Sequence, residues 1–335
     1  MDPVHIIGAG PAGSAAAIAA RSAGRPVLLF EKSRVPRHKV CGEFLSPEIS
    51  TVLDQLGLWQ DFLRAGPAPI HRLVLHFGTR TLRSKIPGCA FGLSRYRLDR
   101  LLLDQAVALK ATVKRALAPS TATLREAAAG PVILANGRYA IAPPGDRLFG
   151  FKAHFQGPGD DAVELFFFSG GYVGVSPIEG GITNVCGIAP EQVLRARNFQ
   201  IDSLLGSSDP LTERLRPLSR TMKWLVSGPL VFGRRTDSSL GDLVYPAGDA
   251  LGFIDPFTGS GILNALTTGW MAGLAAARDN PSPLYLQQCR RALARPFQVA
   301  ALFRAALRKG WADHLAPLVP VHMLFRLTRP VRTEP

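Results

Sequence analysis

Val4-His5-Ile6-Ile7-Gly8-Ala9-Gly10-Pro11-Ala12-Gly13 opens the chain as an apolar run that breaks into three glycines, followed by an alanine-rich stretch to Gly24. The run reads as a buried strand, the glycines as a tight turn and the alanine-rich stretch as a helix. In that order each glycine has a task. Gly8 permits the turn out of the strand, Gly10 lets backbone approach a pyrophosphate, and Gly13 lets the helix pack close to the sheet, with Ala12 between them. The first N–H groups of a helix lack partners and its dipole is positive there, so the turn suits a phosphate. A second apolar run, Val27-Leu28-Leu29-Phe30, ends on Glu31. A carboxylate there accepts from both ribose hydroxyls and repels a 2′-phosphate.

A second glycine-rich region lies far downstream. Tyr245-Pro246-Ala247-Gly248-Asp249-Ala250 is followed by Asp255-Pro256-Phe257-Thr258-Gly259-Ser260-Gly261-Ile262. Asp249, at a strand end, is placed to accept from a ribityl chain. Pro256, Gly259, Gly261 and Ile262 form the entry to a helix expected over 259–277. Its N–H groups and dipole stabilise the negative charge that a reduced isoalloxazine carries along its N1–C2 edge. One region alone reads as dinucleotide binding; the two together read as FAD.

Composition narrows the remaining classes. A chain of 335 residues suggests two lobes. It shows no apolar stretch long enough for a membrane span and no signal-peptide pattern, and is expected to be cytoplasmic. Cys41, Cys89, Cys186 and Cys289 are scattered, with no CxxC pair or Cys/His cluster, so no metal centre or disulfide framework is expected. The net charge of +14 favours anionic partners. The basic residues are dispersed and carry no nucleic-acid motif, which argues against nucleic acid. From Cys289 to Arg332, Arg290, Arg291, Arg295, Arg304, Arg308 and Lys309 alternate with Leu293, Phe297, Leu302, Phe303, Leu307 and Trp311. A basic amphipathic helix of this kind fits two placements, packed on the body with a solvated charged face or lying on a membrane surface.

The order of elements predicts an α/β fold: a discontinuous Rossmann-like FAD-binding domain with an inserted antiparallel β-sheet substrate domain and C-terminal helices. The FAD-binding domain is expected over 1–70, 88–142 and 229–285, the substrate domain over 71–87 and 143–228, and a helical segment over 286–335. The insertion rests on a hairpin across Gly78-Thr79 and on four strand-like runs, 148–156, 162–168, 171–176 and 181–188. After a helical stretch, 230–233 and 243–247 are read as the return to the nucleotide domain.

At these residues the chain resembles the flavoprotein family that contains aromatic hydroxylases of para-hydroxybenzoate hydroxylase type, geranylgeranyl reductases and flavin-dependent halogenases. The likeness covers nearly the whole chain. Arg37-His38-Lys39-Val40-Cys41-Gly42-Glu43-Phe44-Leu45-Ser46-Pro47 is similar to the loop that passes the flavin in this family. Ser94-Arg95-Tyr96-Arg97-Leu98-Asp99-Arg100 is similar to the helix start whose arginine touches the cofactor. The resemblance implies Arg37 and Arg100 as basic contacts to FAD. There are departures. Ala135-Asn136-Gly137-Arg138-Tyr139 stands where the hydroxylases have an Asp-Gly motif touching FAD and NADPH. The halogenase Trp-x-Trp-x-Ile-Pro signature is absent, which argues against halogenation. Tyr172-Val173-Gly174-Val175-Ser176-Pro177 keeps the spacing of the isoprenoid reductases' Tyr-x-Trp-x-Phe-Pro without its Trp and Phe.

The family's chemistry resides in the flavin, which fits a chain without a nucleophile–base constellation. The resemblance implies an FAD-dependent oxidoreductase. The first expectation is a monooxygenase of an aromatic or polyketide-like hydrophobic substrate in secondary metabolism, with NAD(P)H as transient donor. The alternatives are a reductase or dehydrogenase of a lipid or isoprenoid-like substrate, and a flavoprotein that modifies or passes electrons to a partner protein. Cys41 is the one catalytic candidate, with Lys39 and Arg37 as neighbours. His38 and His154 are considered as bases, although an isolated histidine is usually structural. Phe44, Ser46, Tyr172, Asn184 and Phe253 are the expected pocket residues.

Overall fold

The computed structural model describes residues 1–119, 130–137, 147–206, 208–234, 241–308 and 327–329. Strand β1 (Val4–Ile7) leads through the glycine turn into helix α1 (Pro11–Ser22) and strand β2 (Val27–Phe30). The short strand β3 (Phe44–Leu45) precedes helices α2 (Ile49–Gln55) and α3 (Trp59–Arg64) and the hairpin of β4 (Ala68–Phe77) and β5 (Arg80–Gly92). Helix α4 (Arg95–Ala108) and strands β6 (Thr112–Lys114) and β7 (Val132–Leu134) follow. Next come β8 (Leu148–Gln156), β9 (Ala162–Phe168), β10 (Gly171–Ile178) and β11 (Ile182–Pro190). Short helices α5 (Glu191–Arg195), α6 (Ile201–Leu205) and α7 (Asp209–Leu215) cover that sheet. Strands β12 (Ser219–Arg220), β13 (Leu225–Leu230), β14 (Gly233–Arg234), β15 (Val244–Pro246) and β16 (Gly252–Phe253) lead to the long helices α8 (Gly261–Ala277) and α9 (Ser282–Arg308).

The first sheet has five parallel strands in the order β15-β7-β1-β2-β6. Its inner strands are largely apolar on both faces, as a parallel sheet covered by helices requires, while the edge strand β6 exposes Thr112 and Lys114. Helices α1 and α8 pack directly against each other. A Cβ on Gly269 would stand 2.2 Å from the Ala12 carbonyl oxygen, and one on Gly273 would stand 2.3 Å from that of Ala16. Both contacts advance by four residues along both chains, so the two helices run parallel. The start of α8 therefore reaches about 10 Å past the start of α1, at 1.5 Å per residue. Two helix N-termini, from opposite ends of the sequence, face one cleft at different depths.

The second sheet, in the order β12-β8-β11-β10-β9-β4-β5-β3 with β13 also on β8, carries two corrections. It is mixed, not antiparallel, because β4 and β9 pair in parallel. The hairpin comes from the first half of the chain and reaches β9 from outside, so a parallel alignment needs no local turn. Leu230 also does not return to the nucleotide sheet; β13 pairs with β8, extending the substrate sheet. The hairpin runs from 68 to 92, beyond the 71–87 read from the sequence, and Phe44 and Leu45 join its edge. Helix α4 starts at Arg95 because the Ser94 hydroxyl caps it, accepting from the Arg97 N–H at 3.2 Å.

Candidate active site

A cleft of about 1180 Å³ separates the two sheets. Ile7, Phe30, Leu134 and Ala247, at the carboxyl ends of β1, β2, β7 and β15, form one wall. That is where an open parallel sheet binds its ligand. Gly150, Tyr172, Gly187 and Ser227 of the second sheet form the other.

The first glycine turn has the construction its sequence implies. Gly8 sits at φ +103°, and a Cβ there would meet the Ala135 carbonyl oxygen at 2.5 Å. A Cβ on Gly13 would overlap the Gly8 oxygen at 1.7 Å. Gly10 is different: its nearest neighbours would be Arg95 Nη2 at 3.9 Å and Lys39 Nζ at 4.0 Å, both side-chain cations. At Gly261 nothing lies within 4 Å. These two glycines line the cleft and leave room in front of helix N-termini, so the cradle fits the pyrophosphate and ring of FAD. Glu31 accepts from Ala9 N–H at 2.9 Å and from Ser33 N–H at 2.8 Å, fixing the turn while retaining lone pairs for a ribose.

Most of the expected cofactor residues converge. Gly8, Gly10, Ala12, Glu31, Arg37, Asp249, Pro256, Gly259, Gly261 and Ile262 line the cleft, and Gly13 lies beneath it. Arg100 is a correction. Its side chain is exposed and pairs with Asp104 at 2.6 Å, away from the cleft. Arg95 faces inward instead, bonded to Asp99 at 2.7 and 3.0 Å, and Asp99 also holds Lys39 at 2.7 Å. Burial opposes the charge on Asp99, but Arg95 beside it, with Lys39, holds its carboxyl below the ordinary value. Five residues along a helix turn a side chain to another face, so positions 95 and 99 share the cleft side and 100 does not.

The expected pocket residues divide. Phe44, Tyr172 and Phe253 line the cleft. Ser46 and Asn184 are buried and do not line it, a second correction. Asn184 is a support: its Nδ2 donates to the Cys41 and Gly42 carbonyls at 3.2 and 2.9 Å. Asn136 and Gly137 reach the cleft, while Arg138, Tyr139, Lys309, Trp311 and Arg332 lie outside the described residues.

The loop that carries Cys41 is held by a charged cluster. Glu43, at φ +53° and wholly buried, takes hydrogen bonds from Lys152 Nζ, from His154 Nε2 at 2.8 Å and from Arg95 N–H at 2.7 Å. Lys152 and His154 alternate on one face of β8, opposite Cys186 and Asn184 of β11. Burial alone would raise the Glu43 pKa, yet the His154 hydrogen bond and the Lys152 charge carry it below the ordinary carboxylate value. His38 sits edge-on to His154 with ring centroids 5.1 Å apart. The donor atoms of His38, Glu43 and His154 lie within 4.8 Å of one another, a metal-like set that the scattered Cys/His pattern did not predict. Lys152 occupies the same carboxylate and opposes a second cation. Cys41 lines the cleft and its sulfur accepts from Glu43 N–H at 3.4 Å. Cys186 also lines it, its thiol pushed up to about 12 by burial.

A family model for an FAD binding domain matches residues 1–128. The chain is 53% identical over 55 residues to menaquinone reductase of Mycobacterium tuberculosis, a match covering 16% of this chain and 14% of that protein. It is 27% identical over 322 residues to digeranylgeranylglycerophospholipid reductase 2 of Methanosphaera stadtmanae, covering 82% of this chain and 77% of the relative. Residues 1–128 thus match an FAD binding domain, and over most of its length the chain is similar to a reductase. Solved structures agree on the fold. A flavin-dependent brominase triple mutant superposes with a TM-score of 0.81 at 20% identity, covering 98% of this chain and 94% of that one. The halogenase PltM in complex with phloroglucinol and FAD gives 0.70 at 18% identity, covering 95% and 80%.

Proposed function

We propose that this flavoprotein is a reductase that saturates a carbon–carbon double bond in an apolar, isoprenoid-like chain. One observation carries the reading. A second cavity of about 90 Å³ shares Gly42, Phe44, Tyr172, Cys186, Pro256 and Gly259 with the cleft. Beyond them its walls include Leu73, Leu75, Val163, Leu165, Phe167 and Phe303, with Ser176, Thr258, Thr328 and Arg329 as the polar members. A narrow, largely apolar passage that begins beside the flavin turn suits an alkenyl chain better than a compact phenol with several polar groups. The relatives aligned over four-fifths of the chain bear names of lipid reductases, which supports the same choice over the monooxygenase first expected from sequence.

Reduced FAD supplies hydride when bound. The chain's residues do the rest. Apolar walls would align the double bond and exclude water, Arg95 and Lys39 beside Gly10 would hold the pyrophosphate, and the start of α8 would favour negative charge at the ring. Saturation also needs one proton at the other carbon. The Cys41 thiol, on the cleft wall and tied to the loop by Glu43 N–H, is the candidate donor. NAD(P)H is the proposed source of electrons, with Asn136 on the cleft wall where it would approach.

Anaerobic incubation of dithionite-reduced holoenzyme with a geranylgeranyl-bearing lipid or a menaquinone tests the reading. The expected product gains two hydrogens by mass spectrometry, and Cys41→Ser slows its formation. No anaerobic product, together with incorporation of labelled oxygen in air, would replace it with the monooxygenase.

A further inference from the structure

The long C-terminal helix α9 has an outer face that neither the cofactor nor the cavity uses. Leu284, Gln288, Arg291, Arg295, Gln298, Leu302 and Ala305 follow one another at steps of three or four and are all exposed. Such steps place them in one stripe along the helix. Arg290 is exposed beside it. The stripe has leucines near its two ends and arginines between, and Leu302 is 73% exposed. No acidic residue occurs from Asn280 to Arg308. Among the described residues no carboxylate pairs with Arg290, Arg291 or Arg295. The opposite face is committed to the body through Tyr285, Cys289, Ala292, Leu293, Ala300 and Leu307. The helix therefore stays packed while it presents a basic stripe tipped with leucine.

We infer that this stripe docks the protein on an anionic lipid bilayer. Charge complementarity selects the occupant. The chain carries +14 overall, its arginines here meet no carboxylate among the described residues, and their guanidinium forks match phosphate oxygens. The exposed leucines suit the acyl boundary beneath the headgroups. Phe303, next to Leu302, lines the apolar cavity, so the docked helix sits between the bilayer and the passage that leads to the flavin turn. The surface itself does not depend on which reaction the flavin performs.

Co-sedimentation of the full holoprotein with phosphatidylglycerol vesicles, and separately with phosphatidylcholine vesicles, tests this without substrate. Binding is expected to the anionic vesicles only and to weaken with salt. Replacing Arg290, Arg291 and Arg295 together by Ser is expected to lower partitioning on the order of a hundred-fold, with FAD content unchanged. Leu302→Gln is expected to lower it roughly ten-fold. Equal binding to both vesicle types, or a triple variant that binds as well as wild type, would overturn the proposal. Binding to a DNA duplex but not to anionic vesicles would overturn it as well. Vesicle binding with no reduced product would leave the docking surface standing and sink only the reductase reading.

Discussion

The two walls of the cleft are made by different means. On the nucleotide side the work is done mostly by backbone: glycines at turns, helix N-termini and two carboxylates, Glu31 and Asp249, all within about thirty residues of each other or in one short downstream motif. On the substrate-sheet side it is done by side chains that meet across the sequence. Glu43 is paired with Lys152, 109 positions away, and with His154, 111 positions away. The first wall is built from local steric rules. The second is built from buried charge, which is stable only when the fold brings its partners together.

Breaking the second wall has the larger expected effect. Lys152→Met leaves the buried Glu43 carboxylate without its lysine, held only by His154 and the Arg95 N–H, and should cost about 3–5 kcal/mol in the unfolding free energy. The double variant Lys152→Met with Glu43→Gln should recover part of that loss, because no unpaired charge remains buried. A Lys152→Met protein as stable as wild type would show that the cluster does not hold the loop. The cluster also gives an acid step. The folded-state pKa of Glu43 lies below its unfolded value, so its contribution is fully present above the ordinary carboxylate pKa of about 4.3 and is lost as pH falls through the lower folded value. Thermal melts between neutral and acid pH should show this loss, diminished in Glu43→Gln.

The first wall should fail through the cofactor. Glu31→Ala removes the acceptor of the Ala9 N–H and the ribose contact together, weakening FAD binding by about 1.5–3 kcal/mol in titrations of apoprotein. Gly10→Ala puts a methyl group in the phosphate space at a cost of about 1–3 kcal/mol in FAD affinity, with apoprotein stability unchanged. Gly13→Ala reverses that pattern, since its Cβ meets backbone in the apoprotein itself. If both glycine variants lose stability equally, the space at Gly10 is structural and not a ligand's. The smallest effect belongs to Arg100→Ala. An FAD dissociation constant within two-fold of wild type is expected, because the side chain faces solvent and pairs with Asp104.

Much of the nucleotide side was legible because its rules are local. Gly8, Gly10 and Gly13 carry their geometry in their spacing, Glu31 follows from the length of one strand–helix–strand unit, and Gly259 and Gly261 announce the start of α8. Within the site, the misreadings concerned direction. Arg100 and Arg95 lie on one helix, and only packing decides which faces the cleft. Ser46 and Asn184 were expected in the pocket, but both are buried behind its wall, where Asn184 holds the Cys41 loop. Nothing in the spacing of Gly269 and Gly273 marks them, because their role is the close approach of α1.

The sequence by itself determined that this protein binds FAD in a glycine cradle between two lobes, since backbone conformation near each glycine is a property of a few adjacent residues. The tertiary structure alone decided the rest. Parallel packing of α1 and α8 aims two helix N-termini into one cleft. Sheet pairing between strands from distant segments buries Lys152 and His154 against Glu43 and thereby positions Cys41. The mixed alignment of β4 and β9 makes the apolar passage beside the flavin turn. Charge pairing and strand alignment depend on which distant residues become neighbours, and no local spacing records that.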